Sequence, residues 1–328
     1  MIKFFRQSYA VQYVVIVLLA IALWIPTLIS GSMLEGLASP VTPLFNVADR
    51  LLGHLPILQH GFAFLLILFE ALILNAILTK HQIVGKVGSM GAFVFVLLMS
   101  LTPTQTNFYP FTASVIFILL VIKNLFEVYQ NPTPEMNLLK AGVCVALASM
   151  CYFPSILLLV WIFIALPIAQ RGTLRLQFIP LFGFFFVYFA YFVGVYLFGD
   201  FLAVYHGYVD TITSTKFSVT GFNLKIIILL FVLIVATFLS LFGGSNAGFE
   251  KAIAVRTKIS MVWVMLGFAL LMLFLGGGNV LMHGLLFIVL TILLSYAFSY
   301  LGNTGWANLF LTLFLILVFV NHYYFKIL

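Results

Sequence analysis

Charge is scarce in this chain. Of 328 residues, 15 are Lys or Arg and 8 are Asp or Glu, 7% together, which excludes an ordinary soluble surface, where about a quarter of all residues are charged. Cysteine is nearly absent too. Cys144 and Cys151 lie seven residues apart on one expected helix, about 10 Å along its axis and too far apart for a disulfide. They read as small packed groups. The sequence contains no GxxxxGK[ST], HExxH or GxSxG, which sets aside phosphate-loop, zinc-protease and nucleophile-elbow chemistry. No cofactor and no metal site is expected. The formal charge of +7 is scattered between apolar runs instead of forming a basic stripe, so nucleic acid is not an expected partner.

What the chain has in abundance is apolar sequence. It is 64% hydrophobic and 17% aromatic, with a mean hydropathy of +1.23, values that a soluble domain could hold only by exposing large apolar patches. The expected fold class is all-α, a polytopic helical membrane protein. At about 20 residues per crossing, residues 1–328 form a single integral membrane domain of about 11 transmembrane helices, with amphipathic helices lying in the outer interface.

The crossings follow in order. Residues 11–30 form the first, read as retained because the apolar run is longer than a signal-peptide core and lacks a small-residue cleavage site. Lys3 and Arg6 hold its start in the cytoplasm by the positive-inside rule, and Trp24 and Pro26 mark an interfacial aromatic and a bend. Further crossings are expected at about 61–79, 88–102 and 111–129. Residues 138–169 are too long for one crossing and carry Phe153-Pro154 at their centre, so they read as a fold-back hairpin turning at Cys151 to Pro154. That turn also returns Arg171 and Arg175 to the inner side. The remaining crossings are placed at 177–198, 223–242, before Gly276, at 279–300 and at 306–325. In this topology only Arg50, Lys216, Lys225 and Lys326 of the 15 cations lie outside, leaving eleven inside. The expected location is a bacterial cytoplasmic (inner) membrane with the N-terminus cytoplasmic.

Two outer stretches, about 31–60 and 199–222, concentrate the polar residues. In the first, Thr42-Pro43 resembles an N-cap and first helical position. Leu44, Val47, Ala48, Leu51, Leu55 and Leu58 follow at helical spacing, with Asn46, Asp49, Arg50 and Gly53 opposite and Pro56 an expected interruption. In the second, Phe201, Val204, Tyr205 and Tyr208 have the i, i+3, i+4, i+7 spacing of another interfacial helix.

Candidate site residues come from these stretches. Glu35, Asp49 and Asp210 are candidate catalytic carboxylates, while Arg50, His54, His60, His206 and Lys216 could bind a substrate phosphate if the two stretches face each other over a cavity. The competing reading makes Asp49 and Arg50 the wet face of an interfacial helix and Asp210 a solvated loop residue. Glu70 stands apart, near the middle of the second crossing. An acid at that depth is a functional group by default, although a neutral carboxyl bonded to a neighbouring helix would serve structure. His283 reads as a core histidine, and Asn75, Asn279 and Asn321 as helix-contact or interface groups.

An early acid in a first outer loop, amphipathic outer helices and the hairpin LLKAGVCVALASMCYFPSILLLVWIFIALP together resemble the GT-C glycosyltransferases that use polyprenyl-phosphate sugars. The resemblance covers about residues 10–200 and is one of lengths and placement. It implies a membrane glycosyltransferase acting at the outer face of the membrane, with Glu35 or Asp49 as base and a polyprenyl phosphate as lipid partner. The chain also resembles an uncharacterised family of bacterial multi-pass inner-membrane proteins. Two other readings stand beside the enzyme: a proton-coupled transporter or lipid flippase, for which Glu70 is the best argument, and a non-enzymatic membrane subunit of a cell-envelope complex with a membrane-protein partner.

Overall fold

A computed structural model of the chain describes residues 2–6, 10–30, 41–53, 55–84, 88–101, 106–129, 131–214, five positions between 231 and 238, 253–275, 284–300 and 304–323. Apart from the turns between them, these residues are helical. In chain order the helices are α1 Ile2–Phe5, α2 Ala10–Ser30, α3 Pro43–Leu52, α4 Pro56–Lys80, α5 Met90–Met99, α6 Pro110–Val128 and α7 Glu135–Cys151. A 3-10 turn, Phe153–Ile156, leads to α8 Leu157–Ile168, then α9 Leu174–Phe198, α10 Phe201–Ser214, α11 Ile253–Leu275, α12 Gly284–Tyr300 and α13 Thr304–Tyr323.

Among the described residues, five stretches are long and apolar enough to cross a membrane: Ala10–Thr27, Ile57–Lys80, Pro110–Val128, Leu174–Phe198 and Ile253–Leu271. Shorter apolar stretches are Met90–Met99, Phe153–Ile168, Gly284–Tyr300 and Asn308–Val320. α5 has ten residues, about 15 Å of helix against a hydrocarbon core of about 30 Å. The expected crossing at 223–242 lies almost wholly outside the described residues. The helix surfaces fit a multi-pass membrane protein. On α9, Phe178, Phe182, Phe185, Phe186 and Phe189 are all more than 60% exposed, a face that water would penalise and lipid would not.

The centre of the bundle is built from α5 and α12. Every residue of α5 is buried, as is Gly284–Phe298 of α12, and the two helices pack against each other, with α4 and α2 against α5 and α11 against α12. Buried polar groups pin α5 at both ends. At its start Ser89 Oγ donates to Gln12 Oε1 at 2.7 Å, and at its end Trp24 Nε1 donates to Ser100 Oγ at 3.1 Å. Such bonds fix the vertical register of helices whose apolar surfaces would otherwise slide.

α7 sits between α6 and α9. A Cβ at Gly142 would overlap the backbone of Pro180, and one at Gly183 would lie 2.6 Å from the Leu139 carbonyl oxygen, so the close approach of α7 and α9 depends on these two glycines. Tyr152 and the 3-10 turn break the helix where Phe153-Pro154 does in sequence. Arg171 Nη2 then donates to the Asn131 carbonyl at 3.1 Å, and Arg175 meets Glu135 at 4.0 Å, so the start of α7 and the end of α8 share one end of the bundle.

Prolines start helices more often than they stop them here. The amphipathic helix expected to be interrupted by Pro56 after Leu55 ends at Leu52, with Gly53 at φ 66°, and Pro56 occupies the first turn of α4. Proline fits there because its missing N–H has no intrahelical acceptor to lose. Pro26 lies inside a continuous α2. The buried face of α3 also differs from the expected stripe. Val47 and Leu51 are exposed, while Phe45 is buried and stacks on Phe108 at 5.2 Å. The cause is tertiary: α3 packs against α7 and α4 at once.

Candidate functional site

α4 carries the polar groups of greatest interest. It is unbroken over 25 residues, about 37 Å at 1.5 Å per residue, and its two ends present different chemistry. Near the start, His60 is buried beside the backbone of Thr106, and Gln59 Nε2 donates to Asp49 Oδ1 at 3.2 Å and to the Gly53 carbonyl at 3.0 Å. Asp49 is therefore a half-buried acceptor that ties α3 to α4.

Glu70 lies ten residues further along, about 15 Å from both His60 and Lys80. It is 0% exposed, and neither carboxylate oxygen has a hydrogen-bond partner among the described residues. Tyr109, fully enclosed just before α6, is close enough for its hydroxyl to feel the Glu70 charge, and Thr112 lies next to that hydroxyl. The described surroundings hold no cation against Glu70. Its place on the inner face of α4 follows from helix geometry, since Ala63, Ile67, Ala71, Leu74 and Leu78 are buried at three- and four-residue intervals along the same side.

The described parts of the two polar stretches do approach one another. Tyr208 of α10 is buried, and its hydroxyl donates to the Val41 carbonyl at 3.4 Å. The same ring lies edge-on to Phe153 of the 3-10 turn and to Tyr188 of α9, and Tyr188 shares a 2.8 Å hydrogen bond with Ser149 of α7. Asp200 starts α10, its Oδ1 accepting from the Ala203 N–H at 3.2 Å. Arg50, His206 and Asp210 are exposed, and no described hydrogen bond or ion pair brings Asp49, Arg50, His206 and Asp210 together. Glu35, His54, Lys216, His283 and Asn279 lie outside the described residues. Asn75 does join helices, its Nδ2 donating to the Gly88 carbonyl at 2.9 Å and to Tyr13 Oη at 3.2 Å.

The other end of α4 holds a group that sequence reasoning missed. Lys258, counted above as an inner-loop cation, is 1% exposed inside α11, with its ammonium 3.1 Å from His81 Nδ1. An ammonium only donates, so Nδ1 is the acceptor and the neutral imidazole carries its hydrogen on Nε2. Burial first, then Lys258 and Lys80, lower the His81 pKa from 6.5 to about 4. The available signal was that Val255, Lys258, Ile259, Val262 and Leu266 fall on one helical stripe, with the lysine inside an apolar face. Beside His81, Lys80 Nζ meets Glu127 Oε1 at 2.6 Å. Arg6 donates twice to the Phe298 carbonyl, at 3.1 and 2.7 Å, placing a cation on the last turn of α12.

Among the described residues, no group of three or more His, Cys, Asp and Glu side chains could hold a metal ion. Cys144 and Cys151 are both free and buried. In comparisons with known proteins, no family model matches the chain and neither a curated protein nor a solved structure is significantly similar to it.

Proposed function

We propose that this protein is a proton-coupled membrane carrier in which Glu70 binds the coupling proton. The reading places it in a bacterial inner membrane with about eleven crossings and a cytoplasmic N-terminus. The end bearing Lys80, Arg171 and Arg175 then faces the cytoplasm. One observation carries the proposal: a fully enclosed carboxyl in the middle of a spanning helix, with no hydrogen-bond partner among the described residues. An ionised carboxylate there is shut off from bulk solvent and has no cation among the described residues to compensate it. A carboxyl that is neutral while enclosed and charged once the bundle opens to water links a proton to that opening. The thermodynamics are those of population shift, because the proton favours whichever state shields Glu70.

The test uses proteoliposomes loaded with a pH-sensitive dye, an imposed pH gradient and a panel of small metabolites. The proposal expects at least one compound to provoke proton movement in wild type, with that movement lost in Glu70→Gln and slowed in Glu70→Asp. Equal movement in wild type and Glu70→Gln would overturn it.

A second reading, the lipid-linked-sugar glycosyltransferase, draws support from the Tyr208–Val41 contact, which joins the two outer stretches that reading needs. In it a polyprenyl-phosphate tail lies between crossings, Glu35, Asp49 or Asp210 takes the acceptor proton, and Arg50 or Lys216 neutralises the leaving phosphate. The two readings separate cleanly. Replacing the three outer acids would abolish sugar transfer and leave proton movement intact.

A further inference from the structure

The end of the bundle that carries Lys80 holds an open recess of about 350 Å³, lined by Lys80, His81, Glu127, Asn131, Pro132 and Asn137. Three elements build it. α4 ends there in a Schellman turn, with the Ile83 N–H donating to the Leu78 carbonyl at 2.9 Å, the Gln82 N–H donating to the Thr79 carbonyl at 3.0 Å, and Gln82 at φ 55°. The carbonyls that would make this helix end repel an anion are therefore partly occupied. The C-terminal part of α6 contributes Glu127. α7 begins on the third side, with Asn137 in its first turn.

The donors in this recess outnumber its acceptors. His81 is 6% exposed, and its Nε2, which must carry the ring hydrogen because Nδ1 accepts from Lys258, is buried with no hydrogen-bond partner. Asn131 spends its side-chain oxygen on Thr133, at 3.1 Å from that residue's N–H, which leaves its two amide hydrogens as donors. The Lys80 ammonium is half exposed beside Glu127. The charged groups that act on His81 are Lys258, Lys80, Lys123 and Glu127: three cations against one carboxylate, an excess of two positive charges. The start of α7 adds the positive end of a 17-residue helix, where the first-turn Glu135 is met by Arg175 at 4.0 Å.

We infer that this recess is a binding site for a phosphate monoester, either on a small soluble molecule or as the head group of a lipid. A dianionic phosphoryl group matches the excess charge, and its terminal oxygens suit the Lys80 ammonium and the Asn131 amide. The recess has the volume of a small-ligand site. It lies eleven residues from Glu70 along α4, about 16 Å, so it is separate from the proton site, and Glu70→Gln leaves it intact.

The experiment uses the full chain in nanodiscs. In neutral phosphatidylcholine discs, glycerol 3-phosphate is titrated by calorimetry. In discs containing phosphatidic acid, lipid retention is counted by native mass spectrometry. Each probe is run on wild type, Lys80→Gln, Asn131→Ala and His81→Phe. Binding of glycerol 3-phosphate in neutral discs identifies a soluble ligand, and retention of phosphatidic acid alone identifies a head group. In either case the proposal expects at least a tenfold loss in Lys80→Gln and in Asn131→Ala. These two side chains lie at the rim, so they keep the test valid if His81→Phe fails to fold. Absence of binding by both probes, or binding unchanged in Lys80→Gln and Asn131→Ala, would overturn the assignment.

Discussion

Replacing Glu70 with leucine makes the bundle more stable. Its two carboxyl oxygens are enclosed and have no hydrogen-bond partner among the described residues, and a buried polar group in that condition costs about 1–3 kcal/mol relative to a satisfied one. Leucine removes that cost at similar volume and adds apolar contact with the buried stripe of α4. A net gain of about 2 kcal/mol corresponds to a rise in melting temperature of about 4 °C for a chain of this size. The assay is tryptophan fluorescence on heating in one detergent, using the four native tryptophans. Glu70→Gln serves as a polar control and gains less, since an amide keeps unpaired donors and an acceptor in the same place. A fall of several degrees in Glu70→Leu would refute the reasoning, because it would mean that the carboxyl holds a hydrogen bond the fold needs. A gain in stability together with loss of proton movement would mark Glu70 as a group kept for function at a cost to folding.

Other outcomes follow from the packing and from the recess at the Lys80 end. Gly142→Ala forces a Cβ against the Pro180 backbone, where no flexible side chain can yield, and costs about 3 kcal/mol or more. Gly194→Ala meets nothing within 4 Å and gains roughly 1 kcal/mol of helix propensity. Melting temperatures that move in the same direction for this pair would contradict the α7–α9 arrangement. His81 titrates near 4 in the folded chain against an ordinary 6.5, so between those values the unfolded chain binds a proton that the folded one refuses. Stability is therefore full above 6.5 and falls as the pH drops toward 4. The loss is about 2 kcal/mol, less than the full linkage of about 3 because the recess admits solvent. Melting curves from about pH 7 to pH 4.5 check it, and His81→Asn flattens the slope.

Much of the fold was legible in the sequence because helix punctuation is local chemistry. Pro43, Pro110 and Phe153-Pro154 mark boundaries through the missing N–H and the steric restriction on the preceding residue. The break expected at Pro56 is present, but the proline makes it by opening the next helix, since its missing N–H suits a first turn. The burial of individual faces was much harder to read. On a helix that is apolar all round, hydrophobicity has no preferred side, so nothing in α4 or α9 separates the core face from the exposed one. Lys258 passed as a loop cation because its charge outweighed the apolar stripe around it, and the stripe assigned to α3 omitted Phe45 because α3 packs against α7 and α4 at once. Glu70 was legible as an acid at depth, whereas Tyr109, some 40 positions away, could be placed beside it only by the packing of α6 on α4. The outer candidates were chosen by polarity, and polarity there reports solvent as readily as chemistry.

The central claim is that Glu70 takes up and releases a proton, and infrared difference spectroscopy on the protein in lipid tests it most directly. A pH step applied to wild type is predicted to change a carboxylic-acid carbonyl band characteristic of an apolar setting, and that change is predicted to vanish in Glu70→Gln. A wild-type spectrum whose carboxyl bands are identical to those of Glu70→Gln at every pH would contradict the account.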